Sequence, residues 1–232
     1  MANFSDNLVG HWLMNDNLAT TAVLDNKGSN DGTMNVNTDT KSVEGKINKA
    51  LDFDGTNDYV DVPYDSSLGI TDAITISAWI KTSDNTIARQ NIVDKRAAST
   101  RGNYVLRLSS GYLRFLFYNG GWNWLTDDTT KIENDTWYHI AITYNKENIR
   151  LYVNGIEVKS GEETLAMIDS SSIVSIGRQR YSDDSLFKGK IDDVRIYDTA
   201  ISPYYVKLLY NNGAGTEDEN IQSNTLLLGC NF

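Results

Sequence analysis

Two stretches of this 232-residue chain set aromatic rings beside short polar groups. A pyranose is recognised by that combination: a flat apolar surface for one side of the sugar and hydrogen-bond partners for its hydroxyls. The first stretch, YNGGWNWLTDD at 118–128, gathers Tyr118, Asn119, Trp122, Asn123 and Trp124 around a glycine pair. Trp122 and Trp124 share parity, so both can lie on one face of a strand. The second, RQRYSDDS at 178–185, adds Arg178, Arg180, Tyr181 and Asp183. Core packing is the competing reading of the tryptophan pair. A third stretch, DNKGSNDGT at 25–33, suits a hard cation. Ca²⁺ takes roughly six to eight oxygens. Asp25, Asn30 and Asp31 offer them, while Gly28 and Gly32 let the backbone turn its carbonyls inward. An Asx-rich turn is the alternative there. The basic cluster Lys95, Arg96 and Arg101 reads as a solvated loop, with an acidic sugar or a partner's carboxylate as the alternative occupant.

Catalysis finds fewer parts. Glycoside hydrolysis needs two carboxyl groups on one face, a short distance apart. An alternating strand supplies them only where acids are spaced by two. Glu133 and Asp135 are followed by Thr136 and Trp137, Glu217-Asp218-Glu219 falls in a linker stretch where nothing orients it, and Asp192-Asp193 ordinarily point to opposite faces. His11 and His139 are the only histidines, each within a strand pattern, and no G-x-S-x-G elbow exists. Cys230 stands alone, which excludes a disulfide framework and a cysteine-based zinc site. The formal charge of −10 argues against a nucleic-acid backbone binder and against adhesion to anionic membranes. No apolar run approaches the roughly 20 residues that insertion into a bilayer requires. The start, MANFSDNLVG, shows no basic-then-apolar leader.

The elements that must position these residues are strands. ITISAWIK at 74–81 puts Ile74, Ile76, Ala78 and Ile80 on one face, and WYHIAITY at 137–144 does the same with Tyr138, Ile140, Ile142 and Tyr144. IRLYVNGIEV (149–158) is a hairpin turning at Asn154-Gly155, and residues 104–120 form another turning at Ser110-Gly111. In FKGKIDDVRIYD, Ile191 falls on one parity and Val194 and Ile196 on the other. One extra residue at Asp192-Asp193 reconciles them, which predicts a β-bulge. The only convincing helix starts at Ser202-Pro203 and ends at Gly213. The pattern is that of an all-β sandwich or jelly roll with one short C-terminal helix. Residues 1–213 read as one domain. Residues 214–232 read as a tail whose leucines, Leu226 to Leu228, fold back as an edge strand or dock on another protein subunit.

LVGHWLMND, DNKGSNDGT, ALDFDGTNDYVDVP, ITISAWIK, WYHIAITY, IRLYVNGIEV and FKGKIDDVRIYDTAIS occur in one order. Together they resemble a laminin-G-like domain of the concanavalin A-like lectin/glucanase superfamily, over about residues 8–213. The resemblance implies a two-sheet antiparallel jelly-roll sandwich, sugar or protein recognition, and often structural calcium. In the family such an ion commonly joins the early loop to the late strand. Asp25 and Asp192 match those positions, with carbonyls near Asn30 and Gly32. The E-x-D-x-E pattern of the superfamily's glucanases and the Gln-x-His of its alginate lyases have no match. The expectation is therefore a non-catalytic, lectin-like domain binding glycan or polysaccharide, or a surface partner, through loops at one edge. An assembly protein of a virion surface or fibre is the alternative, and a carbohydrate-active enzyme the least favoured. An extracellular or virion-surface setting suits the first two.

Overall fold

A computed structural model describes residues 4–97, 102–181 and 185–218. Arg101, Asp183 and residues 219–232, most of the apolar tail, lie outside the described residues. The strands run β1 (Leu8–Trp12), β2 (Ala22–Val23), β3 (Gly32–Met34), β4 (Ser42–Glu44), β5 (Lys49–Asp54), β6 (Val60–Val62), β7 (Ile74–Thr82) and β8 (Gln90–Arg96). They continue as β9 (Gly102–Ser109), β10 (Tyr112–Tyr118), β11 (Trp122–Lys131), β12 (Tyr138–Tyr144), β13 (Asn148–Val153), β14 (Ile156–Glu162), β15 (Val174–Ile176) and β16 (Lys188–Tyr197). Helix α1 follows at Pro203–Tyr210.

These strands make two antiparallel sheets packed as a sandwich. The first has the order β14-β13-β12-β7-β16-β5-β4, with β1 also paired to β16. The second has the order β11-β10-β9-β8-β15-β6-β3-β2. Between them lies the core, built from alternate residues as the period-two pattern requires: Ile74, Ile76, Ala78 and Ile80 on β7, Leu106 and Leu108 on β9, Phe115 and Phe117 on β10, all buried. Each large apolar side chain so buried stabilises the fold by about 1.5–3 kcal/mol. Both hairpin turns form where the sequence puts them. Asn154-Gly155 (φ 53° and 73°) and Ser110-Gly111 (φ 50° and 86°) adopt the left-handed pairs that suit two-residue loops.

The bulge is present. Asp192 faces Trp79 and Arg195 faces Ser77 across the pairing with β7, so three steps on β16 oppose two on β7. Asp193 takes φ 49° to absorb the extra residue. Ile191 and Val194 then both reach the core. On its other edge β16 changes partner at this point, pairing with β5 before the bulge and with β1 after it.

The two outward faces differ. That of the first sheet is covered by α1, whose Val206 and Leu209 pack with Leu8, Ala141, Tyr152, Tyr197 and Ile201. The helix ends at Tyr210, three residues short of the glycine expected to stop it, because Asn211 already takes a left-handed conformation (φ 46°). Residues 214–218 return over the same face: Arg195 donates to the carbonyls of Thr216 and Asp218, and Glu217 accepts from Asn15 and Asn48. Under this cover His139 sits 5.3 Å from Trp79 and 6.3 Å from Tyr210. Burial, with Arg195 nearby, lowers its pKa to about 4 against the pull of Asp193. The unfolded chain therefore binds a proton that the folded chain refuses between about pH 6.5 and 4, so stability falls as pH drops through that window, by up to roughly 3 kcal/mol. Thermal unfolding across pH 4–7 is expected to show this loss in the native protein and a flatter profile in His139→Phe.

Candidate functional site

The residues expected to hold calcium do not converge on one point. Asp25 sits in the turn after β2, where its carboxylate accepts four backbone N–H groups: His11 and Lys27 at Oδ1 (2.9 and 3.0 Å), Gly28 and Asn30 at Oδ2 (3.1 and 3.0 Å). A carboxylate has about four lone-pair positions, so none is left for an ion. The Asn30 carbonyl takes the Trp12 indole N–H at 2.8 Å. Gly32 is packed in β3 against Val60, with no room for a Cβ. Asp192 turns to the 45–47 loop instead, accepting from Lys46 and Ile47 N–H at 2.7 and 2.9 Å. Its Oδ1 is buried without a partner, and burial pushes the carboxyl up to about 8. One oxygen does not make a calcium site. Among the described residues no three His, Cys, Asp or Glu side chains are placed to hold a metal. As arranged, this donor set does not fit the ion.

A histidine makes the connection that the resemblance assigned to the ion. His11 donates its backbone N–H to Asp25 and its Nε2–H to Asp193 Oδ1 at 2.7 Å. Asp193 also accepts from Arg195 Nε at 3.1 Å. Burial alone would raise the Asp193 carboxyl, but Arg195 and His11 outweigh it and hold it below the usual carboxylate range. His11 was legible only as a strand residue, because its partner lies 182 positions away.

The aromatic residues lie on the outward face of the second sheet. Register places Tyr118 opposite Trp122 and Leu116 opposite Trp124, so these four share that face. Neither tryptophan is core. Trp122 is half-buried, its ring 5.5 Å from Tyr118 and 5.6 Å from the Arg96 guanidinium, and it lies against Gly102, where a Cβ would collide with it. Trp124 is 58% exposed, with the Arg114 guanidinium 6.0 Å from its ring. Gly120 and Gly121 meet nothing, leaving the turn between them open. Arg178 shares the face but not the site. It bonds Asp61 on β6 at 2.5 Å and stacks on Tyr59, five strands from β11, roughly 24 Å by strand spacing. Tyr181, 47% exposed, has the Arg180 guanidinium 5.3 Å from its ring.

Two carboxylates on this face, Asp61 and Asp94, flank Ser175 on β15. Each is tied to an arginine, Asp61 to Arg178 and Asp94 to Arg96. Glu133 and Asp135 are exposed in the turn before β12, not on a strand face. The basic cluster is not a solvated loop where it is described: Lys95 and Arg96 lie on β8, and Lys95 is fully buried and bonded to Asp169.

A family model described as "Concanavalin A-like lectin/glucanases superfamily" matches residues 54–207. The chain belongs to that superfamily. This member is 26% identical over 170 residues to "Sushi, von Willebrand factor type A, EGF and pentraxin domain-containing protein 1" of Mus musculus, covering 68% of the chain and only 5% of that relative. Among solved structures it is similar to the binding domain of Paraclostridial Mosquitocidal Protein 1, with TM-score 0.70, 21% identity, 90% of this chain and 52% of that one. It is also similar to domain 4 of AbnA, an extracellular arabinanase of Geobacillus stearothermophilus solved with arabinotriose, with TM-score 0.63, 22% identity, 87% of this chain and 97% of that one. These likenesses show the jelly-roll fold. No helix among the described residues is long and apolar enough to cross a membrane.

Asp25→Ala in this superfamily member strands four buried or part-buried N–H groups and is expected to cost about 2–4 kcal/mol. Thermal unfolding should show the same loss in calcium and in chelator. A calcium-dependent rise in the native melting temperature that disappears in Asp25→Ala would restore the metal site.

Proposed function

We propose that the chain is a non-catalytic recognition domain that binds glycan on the outward face of the second sheet, at the β10–β11 hairpin. The observation that carries this reading is the exposure of Trp124 beside Trp122 and Tyr118. An indole left 58% exposed on a rigid strand is unfavourable in water unless something covers it. A sugar ring fits, since its apolar side can stack on the indole while its hydroxyls reach Asn119, Asn123 and the main chain of the glycine turn. Domain 4 of AbnA, matched over 97% of its length, was solved with arabinotriose, which supports a saccharide as ligand. The ion pairing of Asp61 and Asp94 supports a binding role over hydrolysis, because each of these carboxylates is already engaged by an arginine.

A glycan array followed by calorimetry on the best ligand tests the reading. Trp124→Ala should weaken binding about tenfold with the melting temperature unchanged, consistent with loss of a stacking contact. Trp122→Ala should weaken binding and also lower the melting temperature, because that ring packs on Gly102 and Arg96. A silent array, or Trp124→Ala binding as tightly as the native protein, would overturn the proposal.

A further inference from the structure

Two arginines stand opposite each other on the face that carries the tryptophans: Arg107 on β9 and Arg114 on β10. Like charges directly opposite on neighbouring strands repel. Neither forms an ion pair among the described residues, in a chain whose acids outnumber its bases by 31 to 21. Arg96, nearby on β8, has its charge balanced by Asp94. Arg107 is only 7% exposed, and its Nε has no hydrogen-bond partner. Burial first, then Arg114, Arg96 and Arg89, lower its pKa to about 10 against the pull of Asp94. Arg114 donates its Nε–H to Thr126 Oγ1 at 2.5 Å, and its guanidinium lies 6.0 Å from the Trp124 ring. Asp94 is the nearby acid, and it is already bonded to Arg96, so a buried cation without a bonded partner of its own is unfavourable, and a bound anion resolves it. The guanidinium fork is matched to the paired oxygens of a carboxylate or sulfate.

We propose that this face selects an acidic saccharide, whose carboxylate or sulfate is held by Arg107 and Arg114 while its ring stacks on Trp124. This rests on the glycan reading above and names the ligand's chemical class. The net charge of −10 repels polyanions in general, so attraction must come from this local pair and not from the whole surface.

Calorimetry of the full chain with polygalacturonate, heparin and neutral galactan tests it. Polygalacturonate or heparin, or both, should bind at least tenfold tighter than galactan, and the preference should shrink as salt is raised. Binding of polygalacturonate shows that a carboxylate suffices, whereas binding of heparin alone, which carries carboxylates as well, shows that sulfate is required. Arg114→Gln, at a half-exposed position, should abolish the preference with the melting temperature maintained. Arg107→Gln should do the same where it folds. Lys207→Gln, an equal loss of charge on α1, should leave the preference intact. Galactan bound as tightly as the acidic probes, with Arg114→Gln without effect, overturns the inference and leaves the glycan reading standing. No binding to any of the three, on top of a silent glycan array, removes both. Poly-glutamate bound as tightly as the saccharides, with the same loss in Arg114→Gln, overturns the inference in favour of an acidic peptide.

Discussion

The extra residue at Asp192-Asp193 is the constraint on which the rest of the molecule depends. Without it β16, the strand at the centre of the first sheet, presents Ile191 and Val194 to opposite sides, and half of its apolar face turns outward. With it, the apolar face is continuous and both acids point away from the core. Asp193 then meets His11 and Arg195. Through His11 it reaches the Asp25 turn, and through Arg195 the carbonyls of Thr216 and Asp218. A local backbone irregularity thus ties together the first strand, the early loop and the chain beyond the helix. Charge and hydrogen bonds make this connection in one buried cluster.

That closure decides where recognition is possible. The outward face of the first sheet is covered by α1 and residues 214–218, and its aromatic rings, Trp79 and Tyr210, are packed against His139. The second sheet has no such helix among the described residues, and its outward face keeps an exposed tryptophan and two unpaired arginines. The fold supplies rigidity, since these side chains sit on paired strands and not on long loops. The β10–β11 hairpin lies at the sheet edge, so its turn and its face are both open to a chain-like ligand.

Much of the scaffold was legible in the sequence. Period-two patterning located the long strands, dipeptides with left-handed preference located the hairpin turns, and the broken parity of FKGKIDDVRIYD located the bulge. The shared parity of Trp122 and Trp124 also held, because it depends only on backbone alternation. What depends on strand order was not legible. His11 and Asp193 meet across a pairing of the first strand with the last, and Arg107 meets Arg114 only through hairpin register. Arg178 was grouped with the tryptophans by residue type, but five strands separate them. Lys95 and Arg96 were adjacent in sequence, yet alternation sends Lys95 into a buried pair with Asp169 and Arg96 outward to Trp122. The arrangement of the expected calcium donors was hidden for a related reason. An Asx-rich turn has the composition of a calcium loop, and only the direction of its N–H groups shows that they, and not an ion, satisfy Asp25.

Recognition on the outward face of the second sheet is tested most directly by amide chemical-shift mapping of the full chain titrated with a short galacturonate oligosaccharide. The shifts should cluster on β8 to β11 and the glycine turn, with the Trp124 indole N–H among the largest. Shifts centred on α1, on residues 214–218 or on the Asp25 turn would place the binding surface elsewhere and contradict it.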